Sequence, residues 1–187
     1  MGRWEPDAVG RLQEAALELY AERGFESTAV ADIAERAGLT ERTFFRYFAD
    51  KREVLFFGSD SLVELFENAV ASAPESLAPI DAVGAALQAA AGFFEERREN
   101  AQRRQGVIAA NPSLQERELI KLASLAAAVA GGLRGRGVGD AAALLAAEAG
   151  IAVFRIGFGT WVDASNDRAF ADVMRDTLAE FKAVTAG

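Results

Sequence analysis

Apolar residues recur along this chain at intervals of three and four, the period that lines one face of an α-helix. Val9, Leu12, Ala16 and Leu19 define such a face and predict a helix from about Pro6 to Arg23, with Gly24 where a left-handed C-terminal residue belongs. Ser27 or Thr28 can cap a second helix whose inward face is Val30, Ile33, Ala34 and Ala37. Gly38 stops it, and Thr40 can cap a third helix ending near Phe48. Asp50 and Glu53 have capping-box spacing and predict a fourth helix over 51–72, closed by the Pro-bounded stretch APESLAPID. Further helices are predicted from about Ile80 to Arg97, from about Asn100, and from an Asn111 or Ser113 cap to about Gly131. GGLRGRGVGD then reads as a flexible linker, followed by a very apolar helix from Asp140 to about Asp163 and a last one capped by Ser165 or Asn166. No alternating strand pattern occurs, so the pattern predicts an all-α fold of packed bundles.

The third helix carries the first chemistry. At about 100° per residue, Phe44 and Phe48 share one face, while Arg42, Thr43, Arg46 and Tyr47 fall within an arc of about 140° on the other. The outward set suits a DNA major groove: Arg donates to guanine O6 and N7, and Thr offers a hydroxyl and a methyl. Tyr47 can donate to a phosphate, and Lys51, at the predicted start of the next helix, can add charge beside free backbone N–H groups. A solvated surface helix with an aromatic inner face accounts for the same residues. The helix stopped by Gly38 favours DNA, because it supplies the short turn that a helix-turn-helix needs.

Charge sharpens this contrast. The 187-residue chain has a formal net charge of −8, yet from Thr40 to Arg52 four basic residues face two acidic ones, a local +2. A pI near 4.7 speaks against non-specific nucleic-acid or membrane binding. With 51% hydrophobic and 26% charged residues, the chain has material for a packed core. It contains neither Cys nor His, which excludes disulfides, thiolate chemistry, His- or Cys-ligated zinc and a histidine base. The first twenty residues are broken by charges and show no signal peptide, and no apolar run approaches the ~18 residues of a membrane helix. A cytoplasmic protein without metal or cofactor is expected.

The stretch ALELYAERGFESTAVADIAERAGLTERTFFRYFADKREVLF resembles the N-terminal domain of the TetR family of bacterial transcriptional regulators. The resemblance implies an all-α homodimer with a helix-turn-helix DNA-binding domain over residues 1–50 and a helical ligand-binding and dimerisation domain over 51–187. It implies a palindromic operator as partner and a small-molecule effector that releases the protein, which would make it a repressor. By position, Thr28 would cap the second helix and touch phosphate, Thr40, Arg42 and Thr43 would meet base edges, and Tyr47 and Lys51 would contact the backbone. Phe45 departs from the family, which commonly has Tyr there, so a phosphate-bonding hydroxyl is missing. TFFRYF, the NP-initiated helix and FRIGFGTW are similar to a subgroup associated with acyl-CoA-like or other lipophilic ligands.

The C-terminal candidates follow from that expectation. Ala146, Gly150, Val153, Gly157 and Trp161 form a row of mostly small residues that lets another helix approach, either across a dimer or inside one subunit; the resemblance favours the dimer. Phe66, Phe93, Phe94, Val107, Phe154 and Phe158 are candidate pocket walls or plain core. Arg155, and more weakly Arg104, would hold a ligand carboxylate or phosphate unless it reaches solvent or makes a structural ion pair. GRGVGD lacks the Lys of a phosphate loop and reads as a connector. The competing functions are an enzyme built on Glu148 in an apolar pocket and a helical protein-interaction module without DNA binding.

Overall fold

The computed structural model describes residues 7–186, and every regular element among them is helical. The elements are α1 (Ala8–Arg23), α2 (Val30–Arg36), α3 (Glu41–Tyr47), α4 (Ser59–Ser72), α5 (Pro79–Ala89), α6 (Ala91–Phe94), a 3-10 turn (Glu95–Arg97), α7 (Arg98–Ala109), α8 (Pro112–Gly135), α9 (Asp140–Val162) and α10 (Phe170–Thr185). The predicted helix start at Pro6 lies outside the described residues. Two compact units result: Met1–Phe57 with Arg103–Glu118, and Gly58–Gln102 with Leu119–Gly187.

In the N-terminal unit, Leu12, Ala16, Leu19 and Tyr20 of α1, Ile33 of α2 and Phe44 of α3 share one core with Phe25 and Phe48. Arg36 fastens α2 to α1 through Glu22 (2.9 and 2.8 Å) and Glu18 (3.0 Å). Between α2 and α3 the chain turns at Gly38, whose φ of 65° strains any residue bearing a Cβ. The N–H of Leu39 closes that turn on the Ala34 carbonyl at 2.8 Å.

Thr28 does not cap α2. The cap position is Ala29, whose N–H is taken by the Asp32 carboxylate at 3.0 Å. The Thr28 side chain, 1% exposed, instead donates its hydroxyl to the Gly24 carbonyl at 2.8 Å. The predicted helix over 51–72 also begins later, at Ser59, after Gly58 at φ 86°. Asp50 caps the N–H groups of Arg52 (2.8 Å) and Glu53 (3.2 Å), but the chain continues in tight turns. Val54, Leu55 and Phe56 are all buried, and three successive side chains cannot share one face of an α-helix.

In the second unit, α5, α9 and α10 pack closely around a core that includes Phe66, Val83, Leu87, Phe154, Trp161 and Phe170. The row on α9 faces inward here. A Cβ on Gly150 would lie 2.2 Å from Val83 Cγ1, one on Gly157 2.9 Å from Met174 Sδ, and Val153 and Trp161 are buried. Gly150, Val153, Gly157 and Trp161 are therefore core positions within the subunit rather than a surface for a second one, with Ala146 partly buried against the same core. By length and composition α9 could cross a membrane, contrary to the sequence expectation, yet its inner face, with Ala147, Gly150, Phe154 and Trp161, is buried in the core of this unit.

The expected linker shrinks to residues 136–139, because α8 runs through Gly131 and Gly132 to Gly135. Gly132 sits where a Cβ would lie 3.3 Å from Val70, and Arg136 anchors the helix end on the carbonyls of Val70 (3.1 Å) and Pro74 (2.8 Å). The cap before α10 is Ala169, not Ser165 or Asn166. Asp163 holds the Ser165 N–H (2.8 Å) in a preceding turn.

Candidate nucleic-acid interface

α3 presents the face that its periodicity predicts. Phe44 and Phe48 turn into the core, in contact with each other at 5.3 Å between ring centres. Arg42, Phe45, Arg46 and Tyr47 are exposed, and Thr43 is half-buried beside them. Thr40 caps the helix, its hydroxyl oxygen accepting the Thr43 N–H at 3.2 Å and lying 3.1 Å from the Thr43 hydroxyl. The structure thus brings Thr40, Arg42, Thr43 and Tyr47 together on one short helix.

Arg46, part of the outward set but given no role of its own by sequence, pairs with Tyr47. Its guanidinium lies 4.7 Å from the centre of the Tyr47 ring and donates to the Tyr47 oxygen at 2.9 Å. That bond occupies an acceptor position of the phenol and leaves its O–H to donate outward. Only the adjacency of the two residues in TFFRYF signalled this pair. Phe45, 54% exposed, is an apolar surface ring meeting Phe44 edge-on at 5.5 Å.

Lys51 and Thr28 lie elsewhere. The Lys51 ammonium does not stand free at a helix start; it donates to the carbonyls of Phe25 (2.8 Å), Glu26 (3.2 Å) and Thr28 (2.9 Å) and sits 4.5 Å from the centre of the Phe25 ring. The Lys51 carbonyl in turn accepts from the Tyr20 hydroxyl at 2.7 Å. Burial, with the Asp50 charge adding to it, pushes the Tyr20 phenol well above its usual range, so it remains a donor. Arg52 is paired with Asp50 at 2.7 Å, and that hydrogen bond holds the Asp50 carboxyl below the usual carboxylate range despite partial desolvation. With Lys51 and Arg52 engaged, the outward positive charge of this segment is carried by Arg42 and Arg46.

The ligand candidates separate. Phe94 gathers Phe154 (5.8 Å), Phe158 (5.4 Å), Trp161 (6.1 Å) and Phe170 (4.9 Å), with Phe66 against Phe154 (5.9 Å) and Phe93 against Phe94 (5.0 Å). Arg104 and Val107 belong to the N-terminal unit instead. There Arg104 donates to the Leu55 carbonyl (2.6 Å) and Glu118 (3.1 Å) over the Phe56 ring, and burial lowers its pKa against the pull of Glu118. Arg155 and Glu148 are exposed on α9, so neither enters the aromatic cluster.

Residues 12–56 match the family described as bacterial regulatory proteins, tetR family, and residues 77–186, more than half of the chain, match the MftR C-terminal domain. The chain is 30% identical over 115 residues to the MftR regulator assigned to mycofactocin biosynthesis in Mycobacterium tuberculosis, covering 62% of this chain and 58% of that protein. It is 38% identical over 82 residues to the HTH-type transcriptional regulator TcmR of Streptomyces glaucescens, covering 44% of this chain and 36% of that one. In both cases the match spans less than two thirds of the relative's length. Its fold resembles Thermus thermophilus FadR, a TetR-family repressor crystallised with lauroyl-CoA, at TM-score 0.54 and 23% identity over 92% of each chain. The chain belongs to the TetR family of bacterial regulatory proteins, with an MftR-type C-terminal domain.

Proposed function

We propose that this regulator binds a palindromic operator as a homodimer, represses by occupying it, and is released by a small lipophilic molecule, a role that puts it in the cytoplasm with its DNA. The observation that carries the reading is the outward set of exposed Thr40, Arg42, Arg46 and Tyr47 with half-buried Thr43, on and capping a helix that follows a four-residue turn, inside the segment matching the family's N-terminal domain. Arg42 and Thr43 suit base edges, Tyr47 oriented by Arg46 suits a phosphate, and the exposed Phe45 ring suits a thymine methyl. A dimer is what a palindrome requires, with half-sites about 34–36 Å apart. The surface offered to the second copy is the outer side of α9, where Leu145 (72% exposed) and Ile156 (58%) stand free, rather than the inward row. The aromatic cluster around Phe94 supports a lipophilic effector, in keeping with the lauroyl-CoA of the FadR structure.

The test is an anisotropy titration against DNA upstream of the protein's own gene, with random DNA as control, at stated salt. Arg42→Ala and Thr43→Ala are each expected to weaken specific binding by about 1–3 kcal/mol and random binding far less. Equal loss on both DNAs would reduce them to phosphate contacts, and wild-type binding no tighter than random to any genomic fragment would sink the reading.

Lys51 has a different expected signature. With its ammonium committed to three carbonyls, Lys51→Met lowers the melting temperature by a few degrees but leaves the salt dependence of DNA binding unchanged. A phosphate contact would instead remove about 0.9 from the slope of log K against log salt. Titrations at several salt concentrations separate the two.

A further inference from the structure

We infer that Arg98 and Trp161 form the polar end of a small-molecule site in the C-terminal unit, and that this site takes a carboxylate carried on an apolar body. Trp161 is fully buried, and its indole N–H has no acceptor; the Nε–H of Arg98 is likewise buried and unpartnered. Buried donors are almost always satisfied in folded proteins, so each of these N–H groups calls for an acceptor. The two side chains belong to one constellation. The Arg98 guanidinium lies 5.7 Å from the centre of a Trp161 ring, its far edge is held by the Asn166 carbonyl, and the Asn166 amide donates to the Trp161 carbonyl at 3.2 Å.

Charge selects the acceptor. Among the described residues Arg98 pairs with no carboxylate, and the nearby Glu95 accepts the Phe170 N–H at 3.0 Å. Water would satisfy the N–H groups but leave the guanidinium unneutralised, whereas a carboxylate offers two oxygens and a charge. The apolar body is specified by the neighbours of Trp161: Phe170 at 5.3 Å, Phe158 at 5.7 Å and Phe94 at 6.1 Å. Phe94 and Phe158 are only partly buried, so this side of the aromatic cluster reaches the surface of the unit. The inference rests on the effector reading proposed above and gives it a head group, in place of Arg155 or Arg104.

The chain has two Trp residues, so Trp4→Phe leaves Trp161 as the only indole reporter. Laurate, below its micelle concentration, is titrated against that protein without DNA, with dodecanol as the uncharged control. Laurate is expected to change the Trp161 emission saturably and to bind about tenfold tighter than dodecanol. Arg98→Met should raise the laurate dissociation constant about tenfold, leave that of dodecanol within about twofold, and so erase the preference. Arg98→Lys, which keeps the charge but not the Nε–H, should fall between them and carries the test if the Met variant fails to fold. Equal affinity for laurate and dodecanol, or no effect of Arg98 variants, would overturn the carboxylate anchor while leaving a lipophilic site standing. No response to either probe would overturn the anchor and the lipophilic effector together, with the DNA titrations unaffected. A variant that melts lower yet binds laurate normally would assign the two donors to a structural water.

Discussion

Phe44→Ala is expected to destabilise the N-terminal unit by about 3–5 kcal/mol and to abolish operator binding with it. Phe44 has no exposed surface, and its ring meets Phe45, Phe48 and a core that draws on all three helices, including Leu12 and Ile33. The substitution removes a large buried ring from a core shared by three helices, and the surrounding side chains relax only partly into the space. A unit this small has few kcal/mol to lose, so the variant should sit near its midpoint at room temperature. Hydrogen exchange gives the direct measurement: amides of α1, α2 and α3 should lose their protection, while those of α9 keep theirs. Retained protection in α2 and α3 would show that the core survives without this ring, and the packing argument would fail. Phe45→Ala is the control, since that ring is exposed and its loss should leave protection intact.

The same helix shows why so much of this site was legible in the sequence. Periodicity assigns each residue of α3 to a face, and in a short bundle the inner face has only one destination. Thr40 as cap and Gly38 as turn follow from local chemistry that needs no knowledge of distant neighbours. Lys51 was not legible for the opposite reason. Its ammonium is captured by carbonyls more than twenty residues away, on the loop after α1, and nothing local announces that. The stretch 51–57 failed similarly, because burial of Val54, Leu55 and Phe56 together overrides the helical pattern suggested by Asp50 and Glu53.

In the C-terminal unit, periodicity found the faces but not what covers them. Phe66, Phe94, Phe154 and Phe158 do meet, whereas Arg104 and Val107, chosen by the same kind of pattern, pack into the other unit. Arg155 drew notice by standing inside an apolar run, yet its helical phase turns it outward. Arg98 was hidden in the charged run EERRE, where one basic residue among many looks solvated. Its buried, unpartnered Nε–H and its place beside Trp161 distinguish it from Arg97, which is exposed over the Phe93 ring.

Gly150→Ala is the substitution that tests the inward row. The added methyl would lie 2.2 Å from Val83 Cγ1, and Val83 is itself fully buried, so neither partner can move aside cheaply. The expected cost is about 1–3 kcal/mol from overpacking between α5 and α9. Val83→Ala removes the 2.2 Å clash, leaves its Cβ 3.3 Å from the added methyl, and opens a cavity into which the alanine at 150 can settle. The double variant should therefore be no less stable than Val83→Ala alone, giving a coupling term opposite in sign to the single losses. A helix interface between two copies predicts something else. Dissociation would then contribute to unfolding, so the loss in Gly150→Ala would vary with protein concentration and Val83→Ala would not rescue it. Urea melts of the four proteins at two concentrations, followed by circular dichroism, decide between these. A concentration-independent loss with rescue at Val83 assigns the row to the subunit core, and leaves Leu145 and Ile156 on the outer side of α9 as the surface available to a partner.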